Sequence, residues 1–163
     1  MATRVAVISD THLGAGRAEL PPGCAGLIAG ADLAIHAGDF SSAEALDGMR
    51  ALGTRLHAVH GNVDAPAVMR ELPETLTIGV EDLRIGVIHD AGPASGRLAR
   101  MRAQFPDADA VVFGHSHLPL HEEEGGFQIF NPGSPTQRRR APRHTAGIAT
   151  VDGARLRFEH VVV

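Results

Sequence analysis

Two histidines one residue apart follow a glycine in Gly114-His115-Ser116-His117, directly after the apolar run Ala110-Val111-Val112-Phe113. At the mouth of a strand this spacing presents two imidazoles to one region of space. Imidazole is the commonest protein ligand for divalent transition metals. Four further polar clusters, Asp10-Thr11-His12, Gly38-Asp39, Gly61-Asn62 and His89, each stand at the end of another apolar run. In an open α/β sheet, ligands gather beyond the carboxyl ends of the strands. Asp10, His12, Asp39, Asn62, His89, His115 and His117 are therefore expected at one edge, although more than 100 residues separate the first from the last.

Seven donors are too many for one tetrahedral zinc. They suit two octahedral or near-octahedral divalent ions sharing a carboxylate. The set mixes nitrogen and oxygen and has no thiolate, which points to manganese, with Fe, Zn, Ni or Co as the other candidates. Two ions about 3.5–4 Å apart clamp a phosphoryl group for in-line displacement. They also lower the pKa of a bridging water, so that a hydroxide nucleophile is available near neutral pH. No P-loop, nucleophilic Cys-Arg pair or nucleophile elbow offers another route.

The elements that must position these residues alternate. Apolar runs of strand length occupy Thr3–Ser9, Ala31–His36, Arg55–Val59, Leu83–Ile88 and Ala110–Phe113, as expected of strands buried on both faces. Ser41 or Ser42 can cap a helix to about Leu52, with Gly53 at its end. Asp64 can cap another to about Leu72, with Pro66 near its first turn. A third helix is expected from Ser95 to about Phe105, before Pro106. Residues 14–30 contain Pro21-Pro22 and several glycines, so only a brief helix near Ala25–Ala29 is expected there. From Pro119 on, the helical period gives way to strands at Leu118–Glu123, Phe127–Phe130, Thr145–Val151 and Arg155–Val161. Gly125-Gly126 and Asp152-Gly153 are hairpin signals. The pattern predicts an α/β protein with two packed sheets and helices outside, one domain over residues 1–163.

The ordered set Asp10-x-His12, Gly38-Asp39, Gly61-Asn62-x-Asp64, His89 and Gly114-His115-x-His117, followed by Asn131-Pro132-Gly133-Ser134, resembles the calcineurin-like metallophosphoesterases. It is most similar to their small bacterial and archaeal phosphodiesterase branch. The resemblance implies a four-layer αββα sandwich, two mixed β-sheets flanked by helices. It implies that Asp10, His12 and His117 hold one metal, that Asn62, His89 and His115 hold the second, and that Asp39 bridges them. The substrate implied is a small phosphoester, with Asp39 and Asn62 in the catalytic set. Many relatives carry a histidine after the Gly-Asn pair, placed to protonate the leaving oxygen; here that residue is Val63. His60, two residues before Asn62, is the best substitute donor. Relatives often have glycine after the histidine matching His89; here Asp90 could orient an imidazole or repel an anionic substrate.

Taken singly, each cluster has a plainer reading. Gly38-Asp39 and Gly61-Asn62 are ordinary turn dipeptides, and only the joint ordered pattern reverses this. His36 is expected as a hydrogen-bonded core residue, and His57, His121, His144 and His160 as structural or exposed. Asp64 is expected to cap its helix or support His115, and Glu122-Glu123-Glu124 to form a solvated turn. Arg138-Arg139-Arg140 is either a solvated loop or a contact for a substrate phosphate.

The net charge of −4 gives no field for gathering nucleic acid or anionic membrane. Tyrosine and tryptophan, the larger stacking side chains for bases, are absent. No stretch reaches the roughly 18 apolar residues of a membrane span, and the chain enters a strand without a leader peptide, so a cytoplasmic location is expected. Cys24 is the one cysteine and is expected to be a buried thiol. The apolar tail Val161-Val162-Val163 could pack inside or at a subunit interface, which leaves a homo-oligomer open.

Overall fold

The computed structural model describes residues 1–14 and 19–163. Part of the 14–30 loop, residues 15–18, lies outside the described residues. Strands β1 (Thr3–Ile8), β2 (Leu33–His36) and β3 (Arg55–Ala58) run parallel, and β9 (Thr145–Asp152) and β10 (Arg155–Val162) extend the sheet antiparallel in the order β10-β9-β1-β2-β3. In the second sheet β5 (Leu83–Ile88), β6 (Ala110–Val112) and β8 (Phe127–Asn131) run parallel. Antiparallel edge strands β4 (Thr75–Val80) and β7 (Leu120–Glu124) flank them.

Successive strand residues point to opposite faces, and the central strands are apolar at both. Val5 and Val7 of β1 face the other sheet, with Ile35, Val87, Val112 and Phe130 in one buried cluster. Ala6 and Ile8 point outward, beneath α1 (Pro22–Ala29), α2 (Ala43–Arg50) and α3 (Pro66–Glu71), where they join Ile28, Leu46 and Val68. On the far side Val111 and Ile129 meet Met101 of α4 (Arg97–Gln104) and Phe105. Helices over two packed sheets give the αββα sandwich. Cys24 lies on the buried face of α1, and burial pushes its thiol up to about 12, so it stays protonated and inert.

Ser42 caps α2 by accepting the Ala45 N–H at 3.1 Å. Helix α3 departs from expectation, because Asp64 does not cap it: Ala65 holds the cap position with no side-chain bond. Strand β4 is missed by a search for apolar runs. Its residues alternate, with Ile78 and Val80 buried and Thr75, Thr77 and Gly79 exposed, the mark of an edge strand covered on one face. Glu122–Glu124 lie in edge strand β7 rather than in a turn, but are exposed as expected. Charge along an edge discourages pairing with another sheet. Among the described residues no helix is long and apolar enough to cross a membrane.

Candidate metal centre

The parallel strands of both sheets end at one edge, and their loops bring the seven candidates together. Asp10 Oδ1 lies 3.4 Å from His117 Nε2 and 3.9 Å from Nε2 of both His12 and His89. Asp39 Oδ2 lies 3.2 Å from His89 Nε2 and 3.7 Å from His12 Nε2. On one flank the Nε2 atoms of His12 and His117 approach to 3.3 Å. On the other, His115 Nδ1 lies 3.1 Å from Asn62 Oδ1 and 3.3 Å from His89 Nε2. Among the described residues two groups have the spacing to hold a cation: Asp10, His12 and His117, and Asp10, Asp39 and His89.

This convergence needs unusual backbone. Asp10, His12, Asp39, His115 and His117 all have positive φ, between 44° and 70°. Such conformations cost about 1–3 kcal/mol each and persist only where the surroundings over-determine them. Here the loops hydrogen-bond one another: Asp10 N–H donates to Gly38 O, His12 N–H to Asp39 O, and Gly114 N–H to His89 O, at 2.9–3.0 Å. Two glycines admit the carboxylates. A Cβ on Gly61 would sit 2.0 Å from Asp39 Oδ1, and one on Gly114 would sit 2.6 Å from Asp10 Oδ2.

A surrounding layer fixes the orientation of the donors. His89 Nδ1–H donates to Ala37 O at 2.7 Å, and His117 Nδ1–H donates to Gln137 O. Each bond turns Nε2 inward, the nitrogen left bare when the ring is neutral. His115 is reversed: Nδ1 faces inward, and Nε2 lies 3.9 Å from Asp90 Oδ2. Asp90 thus stands where it can orient an imidazole. Asp64 neither caps a helix nor supports His115. Its buried carboxylate accepts three backbone N–H groups: Asp39 at 3.0 Å, Gly61 at 2.7 Å and Ser41 at 2.8 Å. Those donors belong to the loops after β2 and β3, whose open backbone amides outcompete a helix start that needs no cap. Ser134, the last residue of the Asn131-Pro132-Gly133-Ser134 motif, and Thr136, which sequence reasoning did not single out, donate to the carbonyls of Asp10 and Thr11, both at 2.7 Å.

His36 is fully buried and stacked on Phe40. Its Nδ1 accepts the Gly38 N–H at 3.0 Å, so Nε2–H donates to Thr11 Oγ1 at 2.9 Å. It therefore ties the loop holding Asp10 to the loop holding Asp39. Burial pushes its pKa down to about 3, against 6.5 for a free histidine. Its folded pKa lies below its unfolded one, so this contribution to stability is complete above pH 6.5 and is lost as pH falls toward 3. In metal-free protein His36→Asn should therefore flatten the fall in denaturation free energy between pH 6.5 and 5 by roughly 1 kcal/mol per pH unit. Urea titrations that give parallel profiles for the two proteins would contradict this.

The electrostatics fit a cation. Burial pushes Asp10 up to about 7, against relief from His89, Ser9 and the His115 N–H. Burial would also raise Asp39, but the hydrogen bond and charge of His89 hold it below the usual carboxylate range. His89 moves up in return: Asp39 and Asp10 outweigh its own desolvation. Burial lowers His12 and His117, the latter to about 4. Among the described residues, Asp10 Oδ1 is the buried side-chain polar atom that lacks a hydrogen-bond partner. A carboxylate oxygen facing three imidazole nitrogens without a donor is a set of ligand atoms that suits a positive centre.

The model of the calcineurin-like phosphoesterase superfamily domain matches residues 3–154. The chain belongs to that superfamily. A "probable metallophosphoesterase" of Methanocaldococcus jannaschii is 36% identical over 138 residues, covering 83% of this chain and 69% of the relative. Among solved structures, vacuolar protein sorting 29 from Cryptosporidium parvum superposes with a TM-score of 0.81 at 19% identity, over 99% of this chain and 98% of that one. A novel archaeal phosphodiesterase superposes with a TM-score of 0.74 at 21% identity, over 98% and 99%. These two likenesses are of fold.

The remaining candidates take distinct places around the centre. Arg139 Nη1 lies 3.4 Å from His115 O, and its charge is felt at His12 and His117. Arg138 instead donates to Ala141 O within its own loop, and Arg140 is exposed. His60 lines a small cleft together with Asn62 and His89. Val63 turns its side chain to solvent, while its N–H donates to Asp39 Oδ1 at 3.1 Å. His121 pairs with Gln128, and His160 donates to Asn131 O, both in structural roles.

Proposed function

We propose that this superfamily member is a phosphodiesterase that works with two divalent cations, manganese first among them. Asp10, His12 and His117 would hold one ion, Asn62, His89 and His115 the other, and Asp39 would bridge them. The observation that carries the reading is Asp10 Oδ1, buried, without a donor, and ringed by three imidazoles. The position of Asp39 Oδ2 between His12 and His89 supports the bridge. Bound there, two divalent ions would supply a water of lowered pKa and neutralise charge on the phosphoryl oxygens.

The chain's own groups do the rest. The bonds from His89 and His117 to backbone carbonyls keep both imidazoles aimed inward through Nε2. Asn62 is exposed at the mouth, where its amide can meet a substrate oxygen. Arg139 places a cation on the His115 side, suited to a second anionic group of the substrate. His60, in the cleft beside Asn62, takes the role of proton donor to the leaving oxygen, which Val63 cannot fill. Manganese-loaded protein is expected to hydrolyse bis(p-nitrophenyl) phosphate, with activity lost on chelation and restored by metal. Failure to hydrolyse any diester with both ions bound would refute the reading.

Arg139→Ala should raise KM for a diester with an additional phosphate roughly tenfold, and KM for a small aryl diester far less. Steady-state kinetics showing equal increases would remove Arg139 from substrate binding. A second reading is a partner-binding scaffold of the same fold. Val63 and Leu118, next in sequence to Asn62 and His117, expose apolar side chains. Full metal occupancy with no turnover would favour it.

A further inference from the structure

The surroundings of the centre are electrically lopsided. By the backbone carbonyl of His115 stands Arg139. On the Asn62 side a cleft of about 170 Å³ opens, lined by His60, Asn62, Met69, Glu74, Ile88 and Asp90. Among the described residues its acidic lining is two carboxylates, beside the imidazoles of His60 and His89, and no arginine lines it; the chain has no lysine to reach in. Asp90 is held in place, accepting the Gly92 N–H at 2.8 Å and lying 3.9 Å from His115 Nε2. Met69 and Ile88 give the cleft an apolar wall. The volume is below the roughly 300–1,000 Å³ of sites for drug-sized ligands, so a small substituent fits and a large one does not.

An anionic substituent would meet Glu74 and Asp90 there. A cationic one would be attracted by both, with its methylene or methyl groups against Met69 and Ile88. A unit charge within about 6 Å of a partly solvated carboxylate changes binding by roughly tenfold. We propose that the cleft selects phosphodiesters in which one ester group is a small cationic alcohol, an aminoalkyl or trimethylammonioalkyl ester. Glu74 and Asp90 are the residues that set this preference. The inference rests on the phosphodiesterase reading and names its substrate class.

Three p-nitrophenyl phosphodiesters test it on manganese-loaded protein: the choline ester, its uncharged isostere the 3,3-dimethylbutyl ester, and the 3-carboxypropyl ester. The expected kcat/KM falls in that order, by roughly tenfold at each step. Glu74 is exposed, so its variants should fold. Glu74→Gln should narrow the choline advantage over the isostere, and Glu74→Lys should reverse the order of the choline and carboxypropyl esters. Equal turnover of all three by the wild type, or an order unmoved by Glu74→Lys, would overturn this inference while leaving the phosphodiesterase reading intact. Turnover of none would overturn that reading, and this inference with it.

Discussion

Asp39→Ala should release both divalent ions and lower kcat/KM by at least roughly a thousandfold, about 4 kcal/mol of transition-state stabilisation. Asp39 Oδ2 lies between His12 and His89, imidazoles that the two-ion proposal assigns to different ions. Removing it takes negative charge from both halves at once, whereas removing a single imidazole should empty one. Asp39→Asn separates charge from shape: it can still accept the Val63 N–H that Oδ1 accepts now, yet it carries no charge to share. Elemental analysis after gel filtration should find both variants depleted of metal. An Asp39→Ala protein that keeps two ions per chain would contradict the bridge.

Asp64→Ala should be the most destabilising change outside the ligands. It would leave the N–H groups of Asp39, Ser41 and Gly61 without their present acceptor. Each hydrogen bond to a charged acceptor contributes about 1.5–3 kcal/mol, and breaking a buried charged network typically costs about 3–5 kcal/mol. That is a large fraction of the roughly 5–15 kcal/mol that holds a domain folded. The same bonds shape the loops that carry Asp39 and Asn62, so metal affinity should fall as well. Asp64→Asn should lie between, since its amide oxygen can accept two N–H groups while its NH₂ group opposes the third. Urea denaturation showing a loss below about 1 kcal/mol for Asp64→Ala would contradict this role.

The convergence of the seven candidates was legible because strand ends are legible. Apolar runs locate the strands, parallel order puts their carboxyl ends on one edge, and a polar residue directly after such a run has few other places to go. The paired sheets followed from the same runs and from Gly125-Gly126 and Asp152-Gly153. What stayed hidden depends on backbone conformation. Asp64 lies where a helix cap belongs, and nothing local reveals that amides from two other loops fold onto it. The left-handed backbone at Asp10, His12, Asp39, His115 and His117 has no glycine to announce it, although Asp and His are among the residues that tolerate it best. Ser134 and Thr136 act through carbonyls more than 120 residues away in the chain. Strand β4 alternates where apolar runs were sought.

Anomalous diffraction from a crystal soaked in manganese tests the centre most directly. Two peaks about 3.5–4 Å apart are expected, one bonded to Asp10, His12 and His117, the other to Asn62, His89 and His115, with Asp39 touching both. Peaks elsewhere, or a single ion with Asp39 bound to nothing, would contradict a two-metal phosphodiesterase.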